Sequence, residues 1–356
     1  MKEMPACFPS IRLYLVLLLV IIARILLSQN AFENGNLIKI SGRVYSEPNY
    51  YEYAQVINLR GVRAKLPPYP EISLGDKIII QGEVKDNYIK NADLISFSKS
   101  DFIIYKIRRK LLDFYQHGLP SPHSGLVAGV VLGSKAGVSQ QFYESLKQSG
   151  TLHIVVASGM NVTLVAGFLL ESLVLFINRR RAVVVAILGI WIYVALAGFD
   201  APLVRAAIMG SIAFSALKLG RAYLAWRGLL ISAFIMLMLN PSYLSNLGFI
   251  LSFTATASLM LFESQISRLI HFVPHIFREG LSTSLAAQIG VAPILYYSFG
   301  EFNLLSPLIN ALLLWTIPYI TIIGVLAGLT GLILLPIGKL ILLVIYPLTE
   351  YFVLVI

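Results

Sequence analysis

A single cysteine, Cys7, stands in 356 residues, which excludes an intramolecular disulfide and any thiolate-rich metal site. Charge is scarce as well: 13% of the residues are Asp, Glu, Lys or Arg, against about 25% in ordinary soluble domains. The five histidines form no H-x-H-x-D-H array, so a two-metal hydrolytic site is not expected. His271 and His275 are four apart and could share a helix face, but no carboxylate cluster accompanies them. No G-x-x-x-x-G-K-[ST] phosphate loop occurs either, so the chain is not expected to bind and hydrolyse a nucleoside triphosphate by that motif. Neither a metal nor another cofactor is expected.

Apolar residues make up 57% of the chain, and the mean hydropathy is +0.77. Several uninterrupted runs approach the ~20 residues needed to cross a hydrocarbon core, whereas a soluble chain would show shorter, alternating runs. The expected class is a polytopic α-helical membrane protein with about nine spanning segments. The formal net charge of +10 follows from cytoplasmic loops that set topology, and does not by itself indicate a polyanionic substrate.

The first apolar run, Ile11 to Leu27, predicts a retained transmembrane helix within residues 1–31, with Arg24 reaching the headgroups. A cleaved signal peptide is the alternative, but SQNAFEN offers no small-x-small cleavage site. Residues 32–101 hold nine acidic and nine basic residues and predict a small water-soluble unit. LIKISGRVYS, EYAQVINLRGVRAKL, DKIIIQGEVKD and YIKNADLISFS are rich in Ile, Val and Tyr with turn residues between them. Asn87 falls in the hairpin connection KDNY. Four or five short strands in about 70 residues suggest an OB-like β-barrel. Such barrels can bind single strands by aromatic stacking, although the balanced charge here suits a docking role equally.

Residues 102–123 contain an amphipathic helix with Ile104, Ile107, Leu111 and Phe114 on one face and Lys106, Arg109, Lys110 and Asp113 around the rest. It could lie in the membrane interface or pack on the neighbouring unit. From residue 124 to 356 the chain is almost wholly apolar. Gly125 to Gly133 is too short to span and predicts a re-entrant half-helix, followed by eight runs starting near 154, 182, 201, 228, 248, 281, 307 and 340. Loop charges test this map. Arg179 to Arg181, then Lys218, Arg221 and Arg227, then Arg268 and Arg278 occupy alternate loops. The intervening loops near Asp200, Pro241 to Asn246 and Glu301 to Asn303 have no Lys or Arg. Such alternation assigns the basic loops to the cytoplasm and the OB-like unit to the outside.

Polar groups and helix breakers in lipid must line a protein-buried or water-filled space. Four stretches carry them. SGTLHIVVASGMNV contributes Ser149, Gly150, His153, Ser158, Gly159 and Asn161, and AGFDAPLVRAAIMG contributes Asp200, Pro202 and Arg205. LNPSYLSNLGFILSFTATAS contributes Asn240, and AAQIGVAPILYYSFGEFNLLSPLIN contributes Gln288 and Asn310. Arg205, an intramembrane guanidinium suited to phosphate, could instead form an ion pair with Asp200. Lys135 and Lys147 are candidate phosphate contacts at the external mouth.

Taken in order, these stretches resemble the ComEC competence-protein family. The resemblance rests on the serine- and glycine-rich segment from Ser149, Pro202 with Arg205, the Asn240–Pro241 turn leading to Gly248 and Phe249, and Gln288-Ile289-Gly290. It implies a channel that passes single-stranded DNA through the inner membrane in natural transformation. It also implies an external DNA receptor and a cytoplasmic ATP-driven translocase as partners, besides membrane lipid. Within the motifs, Asn161 and Ile250 stand where the family carries histidine and glutamine, which implies a less polar pore. Many members continue into a metallo-β-lactamase-like domain. The resemblance here is to the short form, and neither nuclease nor other enzymatic activity is expected. Two other classes remain open: a transporter or flippase for another anionic polymer or lipid, and an intramembrane serine hydrolase using Ser158 with a histidine base.

Overall fold

A computed structural model describes residues 20–22, 24, 37–51, 53–59, 61–85, 88–155, 158–299, 303 and 305–356. The helix expected within residues 1–31 lies outside these apart from Val20 to Ile22 and Arg24, and Asn87 and Glu301 lie outside them too.

Six strands form one sheet: β1 (Leu37–Arg43), β2 (Asn49–Tyr51), β3 (Ala54–Leu59), β4 (Val62–Leu66), β5 (Lys77–Lys85) and β6 (Tyr88–Ser98). The period-2 pattern explains them. In β4, buried Val62, Ala64 and Leu66 alternate with exposed Arg63 and Lys65, so one face enters a core with Ile40, Ile57, Leu59, Ile72, Ile78 and Ile80. The spatial order is β1-β5-β6-β4-β3-β2. All pairings are antiparallel except β4 with β6, which run parallel through Arg63–Tyr88 and Ala64–Ile89. The two ends of this order, β1 and β2, are consecutive in the chain and joined by residues 44–48 alone. The sheet therefore curls. A Cβ on Gly42 of β1 would lie 2.9 Å from the Leu59 side chain of β3, a close approach that suits glycine at a barrel corner.

Thirteen helices follow among the described residues. They are α1 (Ile103–Gly118), α2 (His123–Leu132), α3 (Gln140–Gln148), α4 (Leu152–Val155), α5 (Gly159–Val174), α6 (Arg179–Ala197) and α7 (Ala201–Lys218). The rest are α8 (Ala225–Leu239), α9 (Leu247–Leu269), α10 (His275–Phe299), α11 (Ser306–Leu313), α12 (Thr316–Ile333) and α13 (Leu335–Val355), with a 3₁₀ turn at Pro241–Ser245. Six segments among the described residues are long and apolar enough to cross a membrane: Leu152–Val174, which takes in α4 and α5, and α6, α7, α9, α12 and α13. The other expected runs fall on helices of a different kind. At 15 residues α8 is short, α10 carries Arg278 and Glu279 near its start and Gln288 further along, and the run from 307 to 333 divides into α11 and α12.

The segment expected to be re-entrant is short: α2 has ten residues, all buried. It packs against α1, α12 and α13. Glycines on α12 make this contact possible. A Cβ on Gly324 would meet Val131 of α2 at 2.6 Å, and one on Gly328 would meet the Tyr115 hydroxyl of α1 at 2.4 Å. Tyr115 is fully buried, and its hydroxyl donates to the Gly324 carbonyl at 2.8 Å. Helix α1 buries Tyr105, Arg108, Leu111, Phe114 and Tyr115; it packs on the helices α2, α6, α12 and α13 and also on the sheet unit, where Tyr105 lies against Gly75 and Arg109 pairs with Asp76 at 3.4 Å.

The sheet meets one end of the helical body. The Phe199 N–H donates to the Tyr45 carbonyl at 3.3 Å, and Lys135 Nζ donates to Asn49 Oδ1 at 2.5 Å. Positions built on Gly61 and Gly198 would touch Ser242 and Leu74. The turns at 133–139, 198–200 and 241–245 thus share the sheet's end. The basic loops at 178–181 and 218–227 lie at the far ends of α6 and α7, helices of 19 and 18 residues, so about 27 Å of helix separates the two sets.

Candidate functional site

Seven helices pack in a closed circuit: α5 on α7, α7 on α9, α9 on α10, α10 on α11, α11 on α13, α13 on α12, and α12 back on α5. Small or hydroxylated residues make several of these junctions. Gly159 of α5 abuts α7, where an added Cβ would lie 3.0 Å from Arg205 Nη2 and 3.3 Å from Ala206. From α7, Arg205 Nε donates to Ser252 Oγ of α9 at 2.7 Å. Gly290 of α10 sits against Ser258 and Thr254 of α9, and Gly280 of α10 against Ala311 of α11. The Tyr351 hydroxyl of α13 donates to the Leu312 carbonyl of α11 at 3.2 Å. Glycine lets backbones approach where side chains would hold them apart.

Arg205 is the charged side chain at the junctions described above. Its Nη1 lies 3.5 Å from Met209 Sδ, and its guanidinium carbon sits 5.8 Å from the centre of the Phe253 ring, within cation–π range. The Asp200–Arg205 ion pair that the sequence allowed is not formed among the described residues; the four salt bridges there involve other groups. Burial pushes the Asp200 carboxyl above its ordinary pKa. Lys135 works against that shift, Glu47 adds to it, and Arg108 opposes it. Asp200 belongs electrostatically to the seam with the sheet, while Arg205 points to α9. Pro202 occupies the first turn of α7, and its carbonyl faces Gly159.

The candidates divide into groups. Gly159, Pro202 and Arg205 come together with Ser252. Ser149 and Gly150 meet α11 instead: the Ser306 hydroxyl donates to the Gly150 carbonyl at 3.4 Å, and Asn310 Nδ2 donates to that hydroxyl at 3.3 Å. The Ser149 hydroxyl pairs with Thr151 at 2.7 Å. His153 is exposed, with Nδ1 at 3.0 Å from the Gly150 carbonyl. Ser158 caps α5 through its backbone position, without a side-chain cap bond, and forms no hydrogen bond with a histidine among the described residues. Asn161 is buried and faces α2, where Nδ2 donates to the Val130 carbonyl at 2.8 Å. Asn240 is exposed and caps the 3₁₀ turn through Ser242 N. Gln288 is half-buried on α10 and Lys147 is exposed on α3.

Sequence reasoning missed a second constellation at the seam. Glu47, in the break between β1 and β2, pairs with Arg108 of α1 at 2.7 Å, and the two side chains are 4% and 3% exposed. The other Glu47 oxygen accepts the Ser134 hydroxyl at 2.8 Å. Nε and Nη1 of Arg108 are buried without a partner. The signal was present: Arg108 lies at i−3 to Leu111 and i−7 to Tyr115, on the apolar face of an amphipathic helix.

These features define a polytopic membrane protein with a curled β-sheet region set on one end of a helical body. Residues 130–356 match the family described as Competence protein, and the chain belongs to that family, the one to which the ordered motifs pointed. It is similar to ComE operon protein 3 of Bacillus subtilis (strain 168), 28% identical over 231 residues that make up 63% of this chain and 29% of that protein. The chain thus matches less than a third of that relative's length. No solved structure matches it.

Proposed function

We propose that residues 124–356 form a channel that passes single-stranded DNA across the cytoplasmic membrane into the cell during natural transformation. The observation that carries this reading is the closed helix circuit, with its glycine and hydroxyl junctions and a guanidinium that no described carboxylate neutralises. Membership of the competence family supports it. A polyanion cannot cross hydrocarbon, so it needs a hydrated path with scattered cationic and polar contacts. Ser252 holds Nε of Arg205 and Met209 lies against Nη1, while Nη2 lies beside Gly159 at the α5–α7 junction, which is where a passing phosphate would meet it. A single fixed guanidinium attracts the backbone without trapping it. Asp200 and Pro202 stand at the mouth, with Lys147 outside. Gly159, His153, Gln288, Ser149, Gly150 and Asn310 form the wall. Asn161, buried against α2, holds the wall in place, and Asn240 shapes the external turn.

In the same reading the sheet is an OB-like barrel on the extracytoplasmic side. Its support is the strand order, the parallel β4–β6 pair, and β1 and β2 acting as two halves of one broken strand. The loops at its end of the helices have no Lys or Arg near Asp200 and Pro241, as external loops should. Residues 1–31 anchor the chain, 32–101 form the barrel and 102–123 link it to the body. An external DNA receptor would deliver the strand and a cytoplasmic ATP-driven translocase would draw it in. The test is uptake of radiolabelled DNA by cells lacking the gene, compared with cells carrying it. Loss of uptake on deletion, restored by the intact gene, is expected. Uptake equal to wild type in the deletion strain overturns the reading, and a change confined to the distribution of an anionic lipid would favour a flippase.

A further inference from the structure

The seam holds a small polar cleft distinct from the helix circuit. Asn49, Tyr50 and Tyr51 line it from the sheet, and Lys135, Gln140 and Tyr143 from the helical body. None of its lining residues is acidic. Glu144, next to Tyr143 in the chain, is engaged by Gln140 Nε2 at 2.8 Å, and Glu47 and Glu71 are near enough to Tyr50 to act on its hydroxyl. Lys135 is presented by a short turn between Gly133 and Gly137, both left-handed at φ 67° and 79°, conformations that glycine adopts without steric penalty. Its ammonium donates to Asn49 Oδ1, a neutral acceptor that an anion would outcompete. The cleft also receives the start of α3, whose first turn is capped by Ser139 through Phe142 N and whose unpaired N–H groups favour negative charge.

Its aromatic components are positioned for stacking. The Tyr50 hydroxyl is committed to the Ile72 carbonyl at 2.8 Å, which fixes that ring at the cleft wall. Tyr51 is exposed at the sheet edge. Burial first, then Tyr51 and Glu144, push the Tyr143 hydroxyl above its ordinary pKa, so it stays a neutral hydrogen-bond donor at physiological pH. A cation, a donor hydroxyl and tyrosine faces together suit a nucleotide whose base is unstacked. A duplex keeps its bases inside and could offer only phosphate.

We propose that this cleft is a docking site for incoming single-stranded nucleic acid, with a phosphodiester on Lys135 and a base against Tyr51 and Tyr143. The identity of the anion rests on the channel reading; the site itself rests on the geometry of the seam. The experiment uses the full chain in nanodiscs of zwitterionic lipid and a fluorescein-labelled oligothymidylate, followed by anisotropy across a salt series. Lys135→Gln should weaken binding about fivefold and lower the slope of log affinity against log salt by ~0.7, the value for one phosphate contact on a single strand. Lys135→Arg should restore the slope, which a merely structural role would not do. Tyr51→Leu combined with Tyr143→Leu should weaken the oligothymidylate while leaving the salt slope in place. An unchanged slope in Lys135→Gln, or an equal loss in Lys99→Gln, at an exposed position just past the end of β6, overturns the cleft as a site. Competition by glycerophosphoglycerol as strong as by oligothymidylate at equal phosphate would make it a lipid-headgroup site instead. The two readings fail separately. Uptake that persists without the gene defeats the channel but leaves the slope test standing, whereas a flat slope defeats the cleft but leaves gene-dependent uptake standing.

Discussion

Replacing Glu47 by leucine strips the seam of the acceptor that two other groups share. One Glu47 oxygen holds Arg108 at 2.7 Å and the other holds the Ser134 hydroxyl at 2.8 Å. Removing one partner of a buried ion pair costs about 3–5 kcal/mol, because the surviving charge is left without compensation. Glu47→Leu belongs at the upper end of that range. Arg108 already has Nε and Nη1 unpartnered, so it would lose its one charge-assisted bond, and Ser134 would lose its acceptor for about another 1 kcal/mol. Arg108→Leu belongs near 3 kcal/mol, since it also removes two unsatisfied donors that each carry a penalty of about 1–3 kcal/mol. The double variant should return to within about 1 kcal/mol of wild type, because neither desolvated charge remains. Thermal unfolding of the full chain in detergent, followed by circular dichroism, should rank melting temperatures as Glu47→Leu lowest, then Arg108→Leu, then the double variant. Additive single effects, or Arg108→Leu melting below Glu47→Leu, would refute this account of the pair.

Three further outcomes are expected. Arg205→Gln should cut labelled-DNA uptake by roughly tenfold or more, since a lost charge-assisted contact of about 1.5–3 kcal/mol corresponds to at least a factor of ten; undiminished uptake at equal membrane abundance would remove Arg205 from the path. Gly328→Ala places a methyl 2.4 Å from the Tyr115 hydroxyl and should destabilise by about 1–3 kcal/mol through overpacking. Adding Tyr115→Phe deletes the closest of the clashing atoms, leaving Leu111 Cδ2 at 2.9 Å, so the pair should melt above Gly328→Ala alone, and a lower melting point would contradict the contact. Asp200 has a raised pKa in the folded protein, so its favourable contribution is present below the unfolded value near 3.8 and is lost as pH rises through the folded one. Asp200→Asn should therefore melt above wild type at pH 8 and converge with it near pH 4; a gap independent of pH would show that the carboxyl is not the cause.

The parts read from sequence share a short-range cause. In β4, Val62, Ala64 and Leu66 alternate with Arg63 and Lys65, and a strand turns that alternation into one buried face whatever its neighbours are. Gly125 to Gly133 is too short to span lipid, and α2 is buried within other helices as that length requires. The alternation of basic and uncharged loops assigns Asp200 and Pro241 to one end of the helices, the end where the sheet is found. Other features escaped because they depend on partners distant in the chain. Arg108 falls on the apolar face of its helix, but nothing local points to its partner Glu47, which is 61 residues away. Arg205 had Asp200 five residues before it as the obvious counter-ion, and the fold instead gives it Ser252, 47 residues on.

By itself, then, the order of apolar runs, breakers and charged loops determined that this chain is a polytopic membrane protein with a β-rich segment near its start, and the ordered motifs pointed to its family. Hydrophobic length and side-chain periodicity are local properties, and lipid admits few structures that satisfy them. Only the tertiary structure decided which helices close into a circuit, which polar groups share a junction, and that Asn161 is buried against α2 while Arg205 lies at an interface. Those outcomes depend on glycines at Gly159, Gly290 and Gly328 meeting particular side chains across helices, and the partner in such a contact is chosen by packing rather than by distance along the chain.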